Sequence, residues 1–156
     1  MKFIFEDDNI VIFIYKKLEI DITNKEDLEN YIKEIIINLK KQYHKKISGF
    51  YNIKIYHNNN YGLIIKMEKE DTIDLFPELI DIKVEINYDS KIYLKIKDFF
   101  LIKEYTKEIY YYDNNFYIDI DNLTNKEIIK LSEFYEITYG KEYEKIENKL
   151  IKIGQN

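Results

Sequence analysis

The apolar residues of this 156-residue chain limit its fold more than any other feature of the sequence. Alanine is absent and valine occurs only twice, whereas isoleucine occurs 31 times, tyrosine 16 times and phenylalanine 9 times. Side chains branched at Cβ and aromatic rings favour the pleated surface of a β-sheet, and alanine is the strongest helix former. The composition therefore predicts a sheet-rich α+β fold.

The size and charge of the chain exclude several classes of protein. A hydrophobic fraction of 46% is enough for a core, so we expect one domain over residues 1–156, with two subdomains at 1–70 and 80–156 as the alternative. The net charge is −5, and all 24 basic residues are lysine. Nucleic-acid-binding proteins usually carry a basic surface and use the planar fork of arginine, so we expect no nucleic-acid partner.

Cysteine content and apolar run length bear on the location of the protein. The absence of cysteine excludes disulfides and thiolate sites and is typical of a reducing compartment. A membrane-spanning helix needs about 20 consecutive apolar residues, and the run at 10–15 is far shorter. Acidic residues at 6–8 interrupt the apolar core that a signal peptide needs. We therefore expect a cytoplasmic protein without membrane contact.

The first half of the sequence alternates strand patterns with one long helix. The predicted strands lie at 2–6, 10–15, 18–22, 50–57 and 61–69. Thr23 and Glu26 have the spacing of a capping box, which marks the start of the helix. The apolar face of this helix consists of Leu28, Tyr31, Ile32, Ile35, Ile36, Leu39 and Tyr43. The strands at 2–6 and 10–15 form one predicted hairpin. The strands at 50–57 and 61–69 form another, which turns at the asparagines at 58–60.

The second half follows a break around Pro77, at 71–79. Its predicted strands lie at 80–88, 91–97, 108–112 and 116–121, and pair in this order as two hairpins. Helices are predicted from Thr124 and at 141–150. The whole pattern predicts an α+β fold of antiparallel β-hairpins packed against one long amphipathic helix and two shorter C-terminal helices.

Motifs for catalysis or for metal and phosphate binding are scarce. The two histidines, His44 and His57, lie in different predicted elements, and no spacing of histidine, serine or glycine matches a metal, nucleophile or phosphate-binding motif. We therefore predict no catalytic residue, no cofactor and no metal. One alternative stays open, because Asp119 and Asp121 lie on one face of a predicted strand. Two carboxylates there could bind a cation or act as acid and base, with a histidine as proton acceptor.

Aromatic residues are concentrated in the last predicted hairpin. Tyr110 and Tyr112 point to one side of their strand and Tyr111 to the other, and Phe116 lies on the opposing strand. At least one side of the hairpin is therefore expected to present aromatic rings outside the core. Tyrosine is enriched in protein interfaces because it combines a large apolar surface with a polar tip.

Three C-terminal segments carry a family resemblance: IYYYDNNFYIDID at 109–121, LSEF at 131–134 and YGKEYEKIENKLIKI at 139–153. This order, a tyrosine-rich hairpin, a helix and a Tyr-Gly-Lys step into a last helix, resembles the C-terminal domain of MecA-type adaptor proteins, which hand substrates to a ClpC-type unfoldase. The resemblance implies that Tyr139, Gly140 and Lys141 mark the corner into the last helix. It also implies that the tyrosine hairpin lies near the partner surface.

These features predict a non-catalytic protein-binding module, an adaptor or inhibitor that acts on a larger protein machine. The expected partner is another protein. The predicted contact residues are Tyr110, Tyr111, Tyr112, Phe116, Tyr139 and Lys141. Two alternatives remain, a small enzyme with a site at Asp119 and Asp121 and a structural subunit that assembles with copies of itself.

Overall fold

The computed structural model describes residues 1–16, 18–58, 62–70, 80–105 and 108–154. The strands in these ranges are β1 Lys2–Glu6, β2 Asn9–Ile14, β3 Gly49–His57, β4 Leu63–Lys69, β5 Ile80–Asn87, β6 Ile92–Ile96, β7 Glu108–Tyr112, β8 Asn115–Asp119, β9 Tyr135–Tyr139 and β10 Ile151–Gly154. The helices are α1 Lys25–Tyr43, α2 Asn125–Lys130 and α3 Gly140–Ile146, with 3-10 turns at Phe99–Leu101, Ile120–Asn122 and Glu147–Lys149. The fold is mixed α+β, as predicted.

Five strands form the first sheet, in the order β1-β2-β4-β3-β5. Its neighbouring strands are antiparallel except for β3 and β5, which run parallel. The long amphipathic helix is confirmed as α1, which covers one face of this sheet. Leu28, Ile32 and Leu39 of α1 share a buried cluster with Ile12 of β2 and Ile65 of β4.

The second sheet packs on the other face of the first. Its strands are antiparallel, in the order β10-β7-β8-β6-β9. Phe13 and Ile64 of the first sheet share a second buried cluster with Leu94 and Ile118 of the second sheet, and Ile128 of α2 joins them. The layers are therefore α1, first sheet and second sheet. Residues 10–14 of β2 and 63–65 of β4 are buried, and both stretches are continuously apolar because the strands are covered on both faces there.

Strand β5 does not pair with β6, so the predicted hairpin at 80–97 is wrong. β5 lies parallel to β3 at the edge of the first sheet, while β6 lies between β8 and β9 in the second. Ile82 and Val84 of β5 pack against the core under α1. The turn after β5 carries the chain from one sheet to the other. The N–H of Ser90 in this turn donates to the carbonyl of His57 at 2.8 Å, which ties the turn to the end of β3.

The predicted strand at 18–22 and the predicted helix cap at Thr23 are also wrong. Asp21 accepts hydrogen bonds from the backbone N–H and the hydroxyl of Thr23, at 2.9 and 2.6 Å, so the chain turns here. The side chain of Asn24 then accepts two N–H groups of the first turn of α1 and caps the helix. Such local bonds between side chain and backbone compete with strand pairing.

The other three predicted strand pairs form. β1 pairs with β2, and β7 pairs antiparallel with β8, with Tyr110 opposite Tyr117. β3 and β4 also pair antiparallel. Of the turn predicted at 58–60, residues 59 and 60 lie outside the described residues, and so does the predicted break at 71–79.

The predicted C-terminal helices are matched in part. α2 begins after Thr124, which forms a capping box with Glu127. The last helix begins at Gly140 and ends at Ile146, earlier than predicted. A 3-10 turn follows. Strand β10, which no sequence pattern predicts, then pairs with β7.

Replacing Phe13 by alanine should destabilise the protein by about 3–5 kcal/mol, because the ring is fully buried between the two sheets. Phe100→Ala is the matched control, since that ring is 73% exposed, and it should cost less than about 0.5 kcal/mol. Urea unfolding followed by circular dichroism measures both changes. Equal unfolding midpoints for the two variants would contradict the shared core.

Candidate functional site

The second sheet has an inner face against the core and an outer face rich in tyrosine, because side chains alternate along each strand. On β6, Leu94 belongs to the core, and the residues on either side of it point outward. Register across the strands places further outward residues beside them. We call this surface the tyrosine face, and it comprises Tyr93, Lys95, Tyr110, Tyr112, Tyr117 and Glu136.

The rings of the tyrosine face pack on one another and on α3. The ring of Tyr93 stacks on Tyr143 of α3 with centroids 5.2 Å apart, and it meets Tyr110 edge-on at 5.9 Å. Nζ of Lys149 lies 5.6 Å from the ring centroid of Tyr112. Burial, with a smaller contribution from the Asp119 carboxylate, strongly raises the pKa of Tyr93. The phenol of Tyr93 therefore stays protonated and uncharged.

The structure distributes the predicted contact residues of the hairpin over two surfaces. Tyr110 and Tyr112 lie on the tyrosine face. Tyr111 and Phe116 lie on the opposite side, with ring centroids 5.3 Å apart. Phe116 also meets Phe99 at 5.3 Å, next to the second core. The predicted alternation of the three tyrosines is confirmed, and it separates the six residues into different environments.

The corner into α3 holds the other two predicted contact residues. The ring of Tyr139 lies 4.9 Å from that of Tyr56 on β3, and burial raises the pKa of Tyr139. Gly140 has a φ of +53°, and a Cβ there would lie 2.7 Å from Cε1 of Tyr56. Lys141 is exposed in the first turn of α3. Tyr139 thus contributes to the contact between the sheets, whereas Lys141 is accessible.

Asp119 and Asp121 stabilise the end of β8. They do not share a strand face as predicted, because β8 ends at Asp119 and a 3-10 turn follows. Asp119 is buried and accepts the N–H of Asp121 at 3.1 Å. Nζ of Lys91 lies 3.4 Å from Asp119 Oδ2 and 3.8 Å from Asp121 Oδ2. Among the described residues, no group of three or more His, Cys, Asp or Glu side chains could hold a metal.

A pocket lies at each end of β6. The junction pocket, at the start of β6, has a volume of about 300 Å³, and its lining includes Tyr56, Tyr88, Asp89, Lys91, Tyr143 and Glu144. The end pocket, at the other end of the strand, has a volume of about 470 Å³, and its lining includes Lys95, Asp98, Leu101, Glu133, Phe134 and Glu136. Both pockets share residues with the tyrosine face or with the helix that packs on it.

The two histidines lie in different settings. The ring of His57 meets Tyr88 of the junction pocket edge-on, with centroids 6.5 Å apart. Its Nδ1 is buried and finds no hydrogen-bond partner in the described part of the chain. Burial lowers the pKa of His57, and the negative charge of Asp89 opposes this effect. His44 is exposed at the end of α1.

Sequence reasoning did not single out Tyr93 and Tyr143. A signal for Tyr93 was present, because the alternation at 92–96 places it on the same side as Lys95 and away from Leu94. Its stacking on Tyr143 depends on how α3 packs against the sheet. No local pattern reports that packing.

Comparison with protein-family models, with curated proteins and with solved structures found no match to this chain. The resemblance to MecA-type adaptor proteins therefore stays a prediction. None of the described helices is long and apolar enough to cross a membrane.

Gly140→Ala should destabilise the protein by about 1–3 kcal/mol, because the added methyl group would press on Tyr56 in a backbone conformation that suits glycine. In a Tyr56→Ala background the ring is gone, so the same substitution should cost less. Urea unfolding of the four proteins in this cycle gives the coupling. An equal cost in both backgrounds would show that the ring contact is unimportant.

Acidification from about pH 7.5 to about pH 5.5 should lower the free energy of unfolding through His57. Its pKa in the folded protein lies below the ordinary value of 6.5. Between the pKa of the folded protein and that of the unfolded chain, only the unfolded chain protonates His57. The stability that comes from a neutral His57 is therefore fully present above pH 6.5, and it is lost as the pH falls toward the pKa of the folded protein.

His57→Gln should flatten this part of the stability profile, measured by urea unfolding at several pH values. His44→Asn is the matched control, because it removes the other histidine and keeps a residue that tolerates the left-handed backbone at that position. A profile that flattens with His44→Asn and not with His57→Gln would show the prediction to be wrong.

Proposed function

We propose that this protein is a non-catalytic protein-binding module, an adaptor or inhibitor that acts on a larger protein machine. The observation that carries the proposal is the tyrosine face, which leads into an open pocket beside the half-exposed ring of Phe134. Tyr93 and Tyr117 are almost fully covered, so Tyr110 and Tyr112 supply the accessible aromatic area of this face. Tyrosine rings lose little side-chain entropy on binding. Partly exposed tyrosines beside a pocket with an exposed apolar ring are typical of interaction sites.

The end pocket offers a place for an apolar side chain of the partner. Leu101 and Phe134 contribute apolar surface to it, and Phe134 is 51% exposed. Lys95, Glu133 and Glu136 add charged groups, with Nζ of Lys95 donating to Glu136 at 2.8 Å. An apolar centre with a polar rim is the usual anatomy of a protein interface.

The charge distribution supports a partner with a basic contact region. On and beside the tyrosine face, Lys95 pairs with Glu136 at 2.8 Å and Lys152 pairs with Glu108 at 2.5 Å. These lysine charges are balanced locally, so the long-range field follows the net charge of −5. Such a field increases the rate of encounter with a basic surface.

The double substitution Tyr110→Ser and Tyr112→Ser, and separately Phe134→Ser, should weaken binding of the partner by about tenfold or more. Affinity purification with the wild-type protein identifies the partner, and titration with each variant gives the affinities. Ile37→Ser is the matched control, because Ile37 is 48% exposed on α1, in the layer away from the tyrosine face. Circular dichroism checks that each variant is folded.

Unchanged affinity in both the double variant and Phe134→Ser would contradict the proposal. Sedimentation of the purified protein tests the alternative of self-assembly. Loss of a homo-oligomer on the same substitutions would assign the tyrosine face to contacts between copies of this chain.

A further inference from the structure

The junction pocket is not used by the proposed function, and its lining is chemically distinctive. Its volume of about 300 Å³ suits a small ligand. Three tyrosines, Tyr56, Tyr88 and Tyr143, supply its aromatic surface, and Asp89 and Glu144 supply carboxylates. The pocket lies where the chain crosses between the two sheets, so its residues come from three separate parts of the sequence.

Two of the three rings are held in place by other rings. Tyr56 packs on Tyr139 with centroids 4.9 Å apart, and Tyr143 stacks on Tyr93 at 5.2 Å. Tyr88 is 53% exposed. A ligand would therefore meet two rings that are already held in place and one exposed ring. Binding would then cost little side-chain conformational entropy.

The charges around the pocket favour a cation. Asp89 and Glu144 are part of the lining, and the lining residue Lys91 directs its ammonium group to the two carboxylates at the end of β8. Lys91 therefore adds little net positive charge. His57, behind Tyr88, is kept neutral at pH 7 because burial lowers its pKa. The aromatic surface thus combines with an excess of negative charge.

We propose that the junction pocket binds a small organic cation that carries an alkylammonium head group. The faces of aromatic rings attract ammonium groups, and cages of several aromatic residues with nearby carboxylates are the usual way in which proteins recognise quaternary ammonium ions. The carboxylates disfavour anionic ligands.

Choline and 3,3-dimethylbutan-1-ol test the proposal, because they have the same shape and only choline is charged. Nuclear magnetic resonance titration of the wild-type protein should show saturable shifts of the Tyr88 and Tyr143 ring signals with choline. The uncharged alcohol should bind about tenfold more weakly or not at all. Equal binding of the two compounds, or no saturable shift with choline, would overturn the proposal.

Variants test whether the binding occurs at this pocket. Tyr143→Leu, Glu144→Gln and Asp89→Asn should each weaken choline binding severalfold. The last two keep the side-chain shape, and asparagine tolerates the left-handed φ of +52° at position 89. Tyr43→Leu, at the end of α1 and 45% exposed, is the matched control and should leave the affinity unchanged. Unchanged affinity in Glu144→Gln and Asp89→Asn would overturn the assignment.

Discussion

Burial of β2 and β4 on both faces is the constraint on which the rest of the structure depends. One face of these strands packs against α1, and the other presents Phe13 and Ile64 to the second sheet. An isolated first sheet would leave this second apolar face in water, at a cost that grows with its area. The second sheet covers it with isoleucines and with Tyr135, and the residues of the tyrosine face lie on its other side.

The crossing between the sheets brings distant parts of the chain together. Ser90 bonds to His57, Lys91 bonds to the end of β8, and Gly140 allows the ring of Tyr56 to approach the start of α3. The side-chain amide of Asn58 also donates to the carbonyl of Ser90 at 3.2 Å, which adds a second bond between the end of β3 and the turn after β5. The junction pocket is formed by the same contacts, and the tyrosine face is completed by the helix that starts there.

Local patterns predicted those elements whose stability is local. Helix α1 and the β7–β8 hairpin were identified from apolar periodicity and from turn residues, and the outward direction of Tyr110 and Tyr112 followed from alternation. The same alternation did not show that β5 pairs with β3, because period two reports which side chains share a face and not which strand lies alongside. β10 is too short to stand out without its partner β7.

By itself, the sequence determined the α+β class, the long amphipathic helix and the separation of apolar from polar faces along each strand, since these depend on residue type and spacing. Tertiary structure decided which strands share a sheet and the pairing of Asp119 with Lys91. It also decided the meeting of Tyr93 with Tyr143 and the enclosure of the junction pocket. These features join residues far apart in the chain, so no local pattern of residue type and spacing reports them.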